Sequence, residues 1–333
     1  MDHIATAIDE LATATGFSGA VRVDLDGRTT LARAFGLADR GHHVQNTMST
    51  RFGVASITKG FTALTVASLI DDGVLAFDTT ARSLLGDDLP LIDDGVTVEQ
   101  LLAHRSGIGD YLDEDAGGDV LDRAMTVHVD LLDDVERYLP MLVGHPSKFA
   151  PGAGFAYCNG GFVVLALLAQ RASGVAFHQL VRQRVCEPAK LHDTAFTRSD
   201  ELDGNTAIGY LHTGGLRTNV LHLPVTGSGD GGLYSTVDDL HRLWSAFMGG
   251  QIVSPDMVAK MLVPHTAPTA TARGYGLGVW LQSSGALMLQ GYDAGVSCAT
   301  VHDRARQVTH TVISNTTEGA WPLYRCLNDL LST

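Results

Sequence analysis

The segment RFGVASITKGFTALTVASLIDDGVL (51–75) places a serine and a lysine three positions apart at the start of an apolar run. Between 57 and 70 the residues are mostly apolar or small, and Asp-Asp-Gly at 71–73 ends the run, which predicts a helix over 57–70. Ser56 then occupies the N-cap or the first turn of that helix. Because residues i and i+3 share one helix face, the hydroxyl of Ser56 and the amine of Lys59 are predicted to lie side by side.

This pair has the chemistry of an activated nucleophile. Burial of the Lys59 amine removes its hydration, which favours the neutral form that accepts a proton. The Ser56 hydroxyl can give up its proton to that amine and attack a carbonyl carbon. The helix N-terminus offers free N–H groups to the negative charge that develops on the carbonyl oxygen. The segment therefore predicts a serine hydrolase that works through an acyl-enzyme.

A second interpretation stays open, because Ser-x-x-Lys is a short pattern that often belongs to a surface helix with a solvated lysine. The lysines of the chain are Lys59, Lys148, Lys190 and Lys260, and only Lys59 has a serine three residues before it. The run around Lys59 is also too apolar for a solvated face. Both observations favour the nucleophile.

Composition predicts a folded globular protein with a large core. The chain has 333 residues, of which 45% are hydrophobic and 18% charged, enough for one large domain or two interleaved ones. The formal net charge of −14 argues against nucleic acid and anionic membrane surfaces as partners, because phosphate binding needs clustered lysine and arginine. The expected partner is a small molecule, and the oligomeric state is left open.

Patterns of secretion, membrane insertion and metal binding are not found in the sequence. The N-terminal stretch MDHIATAIDELATATGFSG predicts an amphipathic helix that ends at Gly16, so the expected location is the cytoplasm. FVVLALLAQ, from Phe162, is too short to span a bilayer. Scattered cysteines are predicted to be reduced: Cys158, Cys186, Cys298 and Cys326. The histidines follow no zinc-site spacing, and the glycines at 227, 229 and 232 lack the strand of a dinucleotide site, so no metal or cofactor is expected.

The order of patterns along the chain predicts two domains. Residues 18–36 alternate around Asp26-Gly27, which indicates a β-hairpin. Helices are predicted near 57–70, 97–103, 131–143, 160–173 and 176–185. Strands are predicted at 274–282, 285–293, 296–303 and 307–315, before a C-terminal helix from about Pro322. We expect residues 1–52 and 201–333 to form one discontinuous domain around an antiparallel sheet flanked by helices, and residues 53–200 to form a mainly helical inserted domain.

Three further segments give the chain a family resemblance. Tyr-Cys-Asn at 157–159 lies within KFAPGAGFAYCNGGFVVLALLAQRASG (148–174), and two other matches are LLAHRSGIGDY (101–111) and GSGDGGLYSTVDDLHRLW (227–244). Together with Ser-x-x-Lys, these segments resemble, in the same order, the serine β-lactamase and penicillin-binding-protein family, in particular class C β-lactamases, DD-peptidases and family VIII esterases. The resemblance implies an α/β fold of the β-lactamase/transpeptidase type, with the active site in the cleft between the two domains.

The resemblance also implies roles for individual residues. Tyr157 would face Ser56 and Lys59 as general base and acid, since a nearby ammonium pulls a phenol toward phenolate. Asn159 would hydrogen-bond Lys59 and the substrate carbonyl. Tyr111 would line the pocket, and Asp230 would order the Gly-rich loop. His104 is interpreted as a structural residue at a helix end.

The third motif of the family is Lys-Thr-Gly or His-x-Gly, and the candidate here is Gly-Tyr-Asp-Ala-Gly at 291–295. Tyr292 would stand where the lysine or histidine is expected, and Ala294 where the glycine is. The N–H of Gly295 would complete an oxyanion hole with that of Ser56. The alternative is a hairpin turn with Tyr292 packed against the sheet.

The preferred function is hydrolysis of carboxylic esters. Without a cation at position 292 the site lacks the usual anchor for a substrate carboxylate, and small neutral esters fit better than cell-wall peptides. The alternatives are an acyltransferase, a D-amino-acid peptidase or a β-lactamase on the same scaffold, and a non-catalytic binding protein that keeps the pocket.

Overall fold

The computed structural model describes residues 2–123, 125–266 and 274–332. The α-helices are α1 (Asp2–Thr15), α2 (Thr58–Asp71), α3 (Ala81–Leu85), α4 (Val98–Leu102), α5 (Leu139–Leu142), α6 (Asn159–Ser173), α7 (Phe177–Val181), α8 (Glu187–Ala189), α9 (Val237–Met248), α10 (Pro255–Met261) and α11 (Ala320–Ser332). The strands are β1 (Gly19–Leu25), β2 (Arg28–Phe35), β3 (Leu37–Asp39), β4 (Val44–Gln45), β5 (Phe52–Gly53), β6 (Ala195–Phe196), β7 (Leu233–Ser235), β8 (Gly274–Tyr275), β9 (Trp280–Leu281), β10 (Leu287–Asp293), β11 (Val296–Asp303) and β12 (Val308–Ser314).

The main sheet joins the two ends of the chain. Its strand order is β2-β1-β12-β11-β10-β9-β8, and all neighbours are antiparallel. The β1–β2 turn has positive φ at both central residues, Asp26 (+50°) and Gly27 (+71°), as a type I′ hairpin requires. The predicted hairpin and the predicted antiparallel sheet built from both chain ends are therefore confirmed.

Helices cover both faces of this sheet. On one face α1 and α11 contact each other and bury side chains such as Ile8 and Leu327 against Val21 and Val312. On the other face α9 packs on β1 and β12, and Nε1 of Trp244 donates to Oγ1 of Thr300 at 2.9 Å. The neighbouring helix α2 packs on α6 and is buried along almost its whole length, which explains its nearly continuous apolar sequence.

Segment 274–282, which was predicted to be one strand, forms two short strands instead. The chain reverses between β8 and β9, where Gly278 has a φ of +78°. A Cβ at this position would lie 2.2 Å from the Cβ of Ala63 on α2. Close approach of the turn to α2 and a left-handed backbone both favour glycine here, and alternation alone does not reveal such a turn.

Two predicted helices also differ from the structure. Over 131–143 the chain forms a 3₁₀ turn at Val135–Tyr138 and the single turn α5. Pro140 lies in that turn and lacks the N–H that a longer helix would use. Over 176–185 the prediction was too short, because α7 continues through a π-helical turn, Arg182–Cys186, into α8.

A small sheet of strand order β5-β7-β6 joins segments on both sides of residue 53. The domain limits 1–52, 53–200 and 201–333 stay a prediction.

Within the described ranges, no single helix is both long and apolar enough to cross a membrane. The bent pair Asn159–Ser173 and Phe177–Ala189 meets that criterion only when the two are taken together.

Candidate active site

Ser56 lies in a single 3₁₀ turn, Ala55–Ile57, that leads directly into α2. Ala55 has a φ of +42°, a left-handed conformation that is uncommon for a residue with a Cβ. The turn is held by Thr58, whose Oγ1 donates to the carbonyl of Ala55 at 2.6 Å. The Ser56 hydroxyl caps neither the turn nor α2. The prediction that Ser56 is the N-cap of the helix is therefore wrong, and its position in the first turn is the one observed. Its hydroxyl is free to face the cleft.

Lys59 is only 2% exposed, and its Nζ has three oxygen neighbours. They are Oγ of Ser56 at 2.9 Å, Oδ1 of Asn159 at 2.8 Å and the carbonyl of Asp230 at 2.7 Å. The amide and main-chain oxygens can only accept, so they take two N–H groups of the amine. Burial lowers the pKa of Lys59, and in the neutral amine the remaining lone pair is directed at the Ser56 hydroxyl.

Asn159 is held in place at the start of α6. Its Nδ2 donates to the carbonyl of Leu112 at 2.9 Å and to Oε1 of Glu114 at 3.2 Å, which orients Oδ1 toward Lys59. The main-chain N–H groups of Asn159 and Gly160 donate to the carboxylate of Asp110 at 2.6 and 2.8 Å. A carboxylate at a helix N-terminus is stabilised by the free N–H groups and the dipole.

Tyr157 stands between two aromatic rings beside the pair. Its ring centroid lies 4.4 Å from that of His104, and it stacks at 6.0 Å on Trp280. Nζ of Lys59 is 5.0 Å from the ring centroid. Burial raises the pKa of Tyr157 well above its usual range, against the smaller opposing effect of a side-chain hydrogen bond with Ser56. The environment thus favours the protonated phenol rather than the expected phenolate.

His104 has the structural position that the sequence suggested. The residue is 1% exposed, and Nδ1 accepts the N–H of Cys158 at 3.1 Å. Burial, helped by the charge of Lys59, lowers the pKa of His104 well below its usual range, so the ring stays neutral. This bond anchors the main chain next to Tyr157.

The Gly-rich loop 227–232 brings Asp230 to the site. The loop closes on itself through the N–H of Ser228, which donates to the carbonyl of Gly231 at 3.0 Å. A Cβ on Gly229 would lie 2.1 Å from the carbonyl oxygen of Phe162, so glycine lets the loop pack tightly on α6. Tyr111 donates its hydroxyl to Oδ2 of Asp230 at 2.5 Å. The two predicted pocket residues are thus direct hydrogen-bond partners.

The structure corrects the predicted oxyanion residue. The N–H of Gly295 donates to Oγ1 of Thr317 at 2.9 Å and is therefore engaged away from Ser56. The glycine that the site requires is Gly291 rather than a residue at position 294, because a Cβ on Gly291 would lie 2.2 Å from the carbonyl oxygen of Val54 and 3.0 Å from the N atom of Ser56.

The register of β10 identifies a different second donor. A two-residue loop, Ala294-Gly295, joins β10 to β11, so Asp293 and Val296 form the terminal hydrogen-bonded pair. Ladder bonds alternate in direction along an antiparallel strand. The N–H of Tyr292 therefore points away from β11, toward the strand edge next to the Ala55–Ile57 turn. We infer that this N–H and that of Ser56 form the oxyanion hole.

The Tyr292 side chain points to the rim of the cleft and is 42% exposed. Its hydroxyl donates to Oε1 of Glu318 at 2.5 Å, and its ring centroid lies 6.0 Å from that of Trp321. Because Gly291 takes the place of the motif's glycine, the residue two positions before it, where the resemblance expects the lysine or histidine, is Leu289. The expected place of Tyr292 in the motif is therefore wrong, and an apolar side chain stands at the cation position. The alternative prediction, a hairpin turn with Tyr292 packed nearby, agrees with the main chain, which turns between β10 and β11. The Tyr292 ring packs against Trp321 at the start of α11.

Replacement of Gly291 by alanine tests this oxyanion strand. The new Cβ would collide with the main chain around Ser56, and we expect kcat to fall by about 10²–10³-fold, as for loss of one oxyanion-hole donor. Gly204→Ala is the matched control, because a Cβ there meets nothing within 4 Å. Steady-state kinetics with an activated acyl substrate and thermal melting of both variants provide the measurement. Wild-type kcat in a folded Gly291→Ala protein would contradict the assignment.

A cleft opens in front of Ser56. The predicted residues that line it are Ser56, Tyr111, Asn159, Asp230 and Tyr292. Glu114 and Asp293 line it as well, and sequence reasoning did not identify either. Asp293 lies within the unusual third motif, which was the available signal. Glu114 lies in the loop after Tyr111, and no sequence pattern marks it.

An antiparallel sheet covered by helices, with a buried lysine aimed at a serine in the cleft, defines the class of protein: a hydrolase with a serine nucleophile. A comparison with known protein families supports this assignment to the serine hydrolases. The β-lactamase family matches residues 4–325. The chain therefore belongs to the β-lactamase family, whose serine hydrolases include penicillin-binding proteins and esterases.

Individual relatives carry different activities in their names. The crystal structure of a penicillin-binding protein from Bacillus halodurans superimposes with a TM-score of 0.90 at 32% identity, covering 97% of this chain and 99% of that one. A putative penicillin-binding protein, PbpX of Bacillus subtilis strain 168, is 26% identical over 90% of this chain and 71% of its own length. Esterase EstB of Burkholderia gladioli is 36% identical over 52% of this chain and 45% of its own length.

Proposed function

We propose that this chain hydrolyses carboxylic esters through an acyl-enzyme on Ser56. The observation that carries the proposal is the charge of the cleft. Its described lining residues include three carboxylates, Glu114, Asp230 and Asp293, and no lysine, arginine or histidine. Such a lining has no cationic partner for the carboxylate that β-lactams and cell-wall peptide termini carry, and like charges in a confined cleft repel. Arg123 lies outside the lining, and its charge opposes only as a minor effect the burial that raises the pKa values of Tyr292 and Asp293. An esterase among the relatives supports the same preference.

The hydrogen bonds around Ser56 suggest how the proton moves. Neutral Lys59 accepts the hydroxyl proton as Ser56 attacks the carbonyl carbon of the ester. The oxyanion is then stabilised by the N–H groups of Ser56 and Tyr292. Tyr157, protonated and next to Ser56, donates to the departing alkoxide and regains a proton from the Lys59 ammonium. Water attacks the acyl-enzyme by the reverse of these transfers.

A panel of esters with different charge tests the proposal. We expect neutral p-nitrophenyl acetate and butyrate to be turned over at least about tenfold faster than p-nitrophenyl hemiglutarate, because the last carries a carboxylate into an acidic cleft. A chromogenic cephalosporin is expected to react more slowly still. The test measures kcat/KM for each compound, and the Ser56→Ala variant gives the background rate that is subtracted. Faster turnover of the cephalosporin than of the neutral esters would overturn the esterase proposal.

The same carboxylates favour a second candidate, a peptidase or amidase for amino-acid substrates that carry an ammonium group. Burial raises the pKa of Asp293 to about 7, so its negative charge develops as the pH rises through neutrality. The discriminating measurement is kcat/KM for D-alanine p-nitroanilide against D-alanine p-nitrophenyl ester. Comparable values would favour the amidase, whereas turnover of the ester alone supports the esterase. Cytoplasmic location stays a prediction of the sequence.

A further inference from the structure

We propose that the carboxylate of Asp230, held by Tyr111, is the counter-charge of Lys59 and stabilises the ammonium that forms when Ser56 loses its proton. The inference rests on the proposed acyl transfer and adds a positioning residue to it. Asp230 would have the part that the aspartate has in a Ser-His-Asp triad, where a fixed carboxylate stabilises the protonated base without taking the proton itself.

The first support is the rigid placement of the Gly-rich loop on α2. Lys59 and Thr62 lie three residues apart on one face of this helix, and they bind two successive carbonyls of the loop. Nζ of Lys59 donates to the carbonyl of Asp230 at 2.7 Å, and Oγ1 of Thr62 donates to the carbonyl of Gly229 at 2.6 Å. Asp230 therefore binds the Lys59 amine through its main-chain carbonyl, and the same anchored loop fixes the position of its side-chain carboxylate.

The second support is the environment of that carboxylate. Asp230 is 8% exposed, and the Tyr111 hydroxyl donates to its Oδ2 at 2.5 Å. Burial raises the pKa of Tyr111 well above its usual range, so this phenol remains a hydrogen-bond donor. Burial raises the pKa of Asp230, and the charge of Lys59 and the Tyr111 hydrogen bond oppose that rise. Because the carboxylate has little access to water, its field at Lys59 is screened less than that of a surface charge.

The third support comes from the other charges that face Lys59. The carboxylates of Glu114, Asp110 and Asp293 also favour the ammonium, but the largest such effect comes from Asp230. Each of these three has another hydrogen-bond partner, as Asp230 has Tyr111: Glu114 binds the amide of Asn159, Asp110 the first N–H groups of α6, and Asp293 the N–H of Ala294. Asp230 differs from them because its own main-chain carbonyl binds Nζ of Lys59. The neighbouring rings of His104 and Tyr157 stay neutral. Asp230 is thus the counter-charge that the loop geometry ties to Lys59.

Asp230→Asn isolates the charge, because the main-chain carbonyl that binds Lys59 is retained. Loss of a negative charge lowers the pKa of Lys59, so its amine becomes neutral at lower pH. The acidic limb of the kcat/KM profile is expected to move to lower pH, and the maximal rate to fall by about 10- to 100-fold, as for loss of one charge-assisted interaction. Asp230→Glu restores the charge and is expected to return the limb toward its wild-type position.

The experiment measures, from pH 5 to 10, the hydrolysis of p-nitrophenyl butyrate and the rate at which a fluorophosphonate labels Ser56. The exposed Asp256→Asn on α10 is the control for an acid-to-amide change, and thermal melting checks the fold of each variant. An unshifted limb in folded Asp230→Asn, with the wild type active, overturns the counter-charge and leaves the esterase standing. A wild type that neither turns over the ester nor takes the label overturns both.

Discussion

Ser56→Ala is expected to lower kcat/KM for neutral esters by about 10⁴-fold or more, because the hydroxyl that forms the acyl-enzyme is removed. Covalent labelling by a fluorophosphonate should disappear with it. The Ser56 side chain caps no helix, so the fold should be unaffected. Intact-mass spectrometry after labelling gives the measurement.

Ser68→Ala is the matched control for this variant. Ser68 lies on the same helix, α2, and its Oγ donates to the carbonyl of Thr65 at 2.8 Å, away from the cleft. This variant should keep wild-type labelling. A mass adduct that persists in Ser56→Ala would remove Ser56 as the nucleophile.

Lys59→Met is expected to cause the second largest loss, about 10²–10⁴-fold in kcat, since the group that accepts the Ser56 proton is removed. Methionine has a similar length and suits a buried site, but it leaves Oδ1 of Asn159 and the carbonyl of Asp230 without their donor. Each unpaired group costs about 1–3 kcal/mol of stability. Steady-state kinetics and thermal melting separate these two effects.

Comparison with Tyr157→Phe distinguishes the roles of lysine and tyrosine. If Tyr157 protonates the leaving group, its loss should lower kcat/KM, which reports acylation, strongly for alkyl esters and weakly for p-nitrophenyl esters, because p-nitrophenolate departs without a proton. Hydrolysis of the acyl-enzyme, which uses the reverse transfers, should slow for both ester types. Lys59→Met should affect both equally. Lys260→Met on the surface helix α10 controls for the loss of a lysine. Equal losses of kcat/KM for both ester types in Tyr157→Phe would contradict leaving-group protonation.

The sequence was sufficient for features that depend on neighbouring positions. The β1–β2 hairpin follows from alternation and from Asp26-Gly27, and the contact of Ser56 with Lys59 follows from their i, i+3 spacing at the start of a helix. The antiparallel sheet from both chain ends was also predictable, because the strands alternate and the middle of the chain is helical. The roles of Tyr157 and Asn159 came from resemblance, since nothing local relates position 159 to position 59.

Predictions failed where contacts between distant segments decide the outcome. Residues 274–282 contain an alternating pattern, but close approach to α2 forces a turn at Gly278. Gly295 is the last residue of the unusual motif, yet its N–H donates to Thr317. Gly291 is required instead because the main chain of β10 passes against Val54 and Ser56.

The sequence by itself determined that a serine and a lysine meet on one turn of a helix, because helical geometry is local. Only the tertiary structure decided the protonation states of that pair and its surroundings. Burial lowers the pKa of Lys59 and raises that of Tyr157, and the loop carrying Asp230 reaches the amine from 171 positions along the chain. Desolvation and Coulomb effects depend on which segments pack together, and residue spacing alone does not specify that packing.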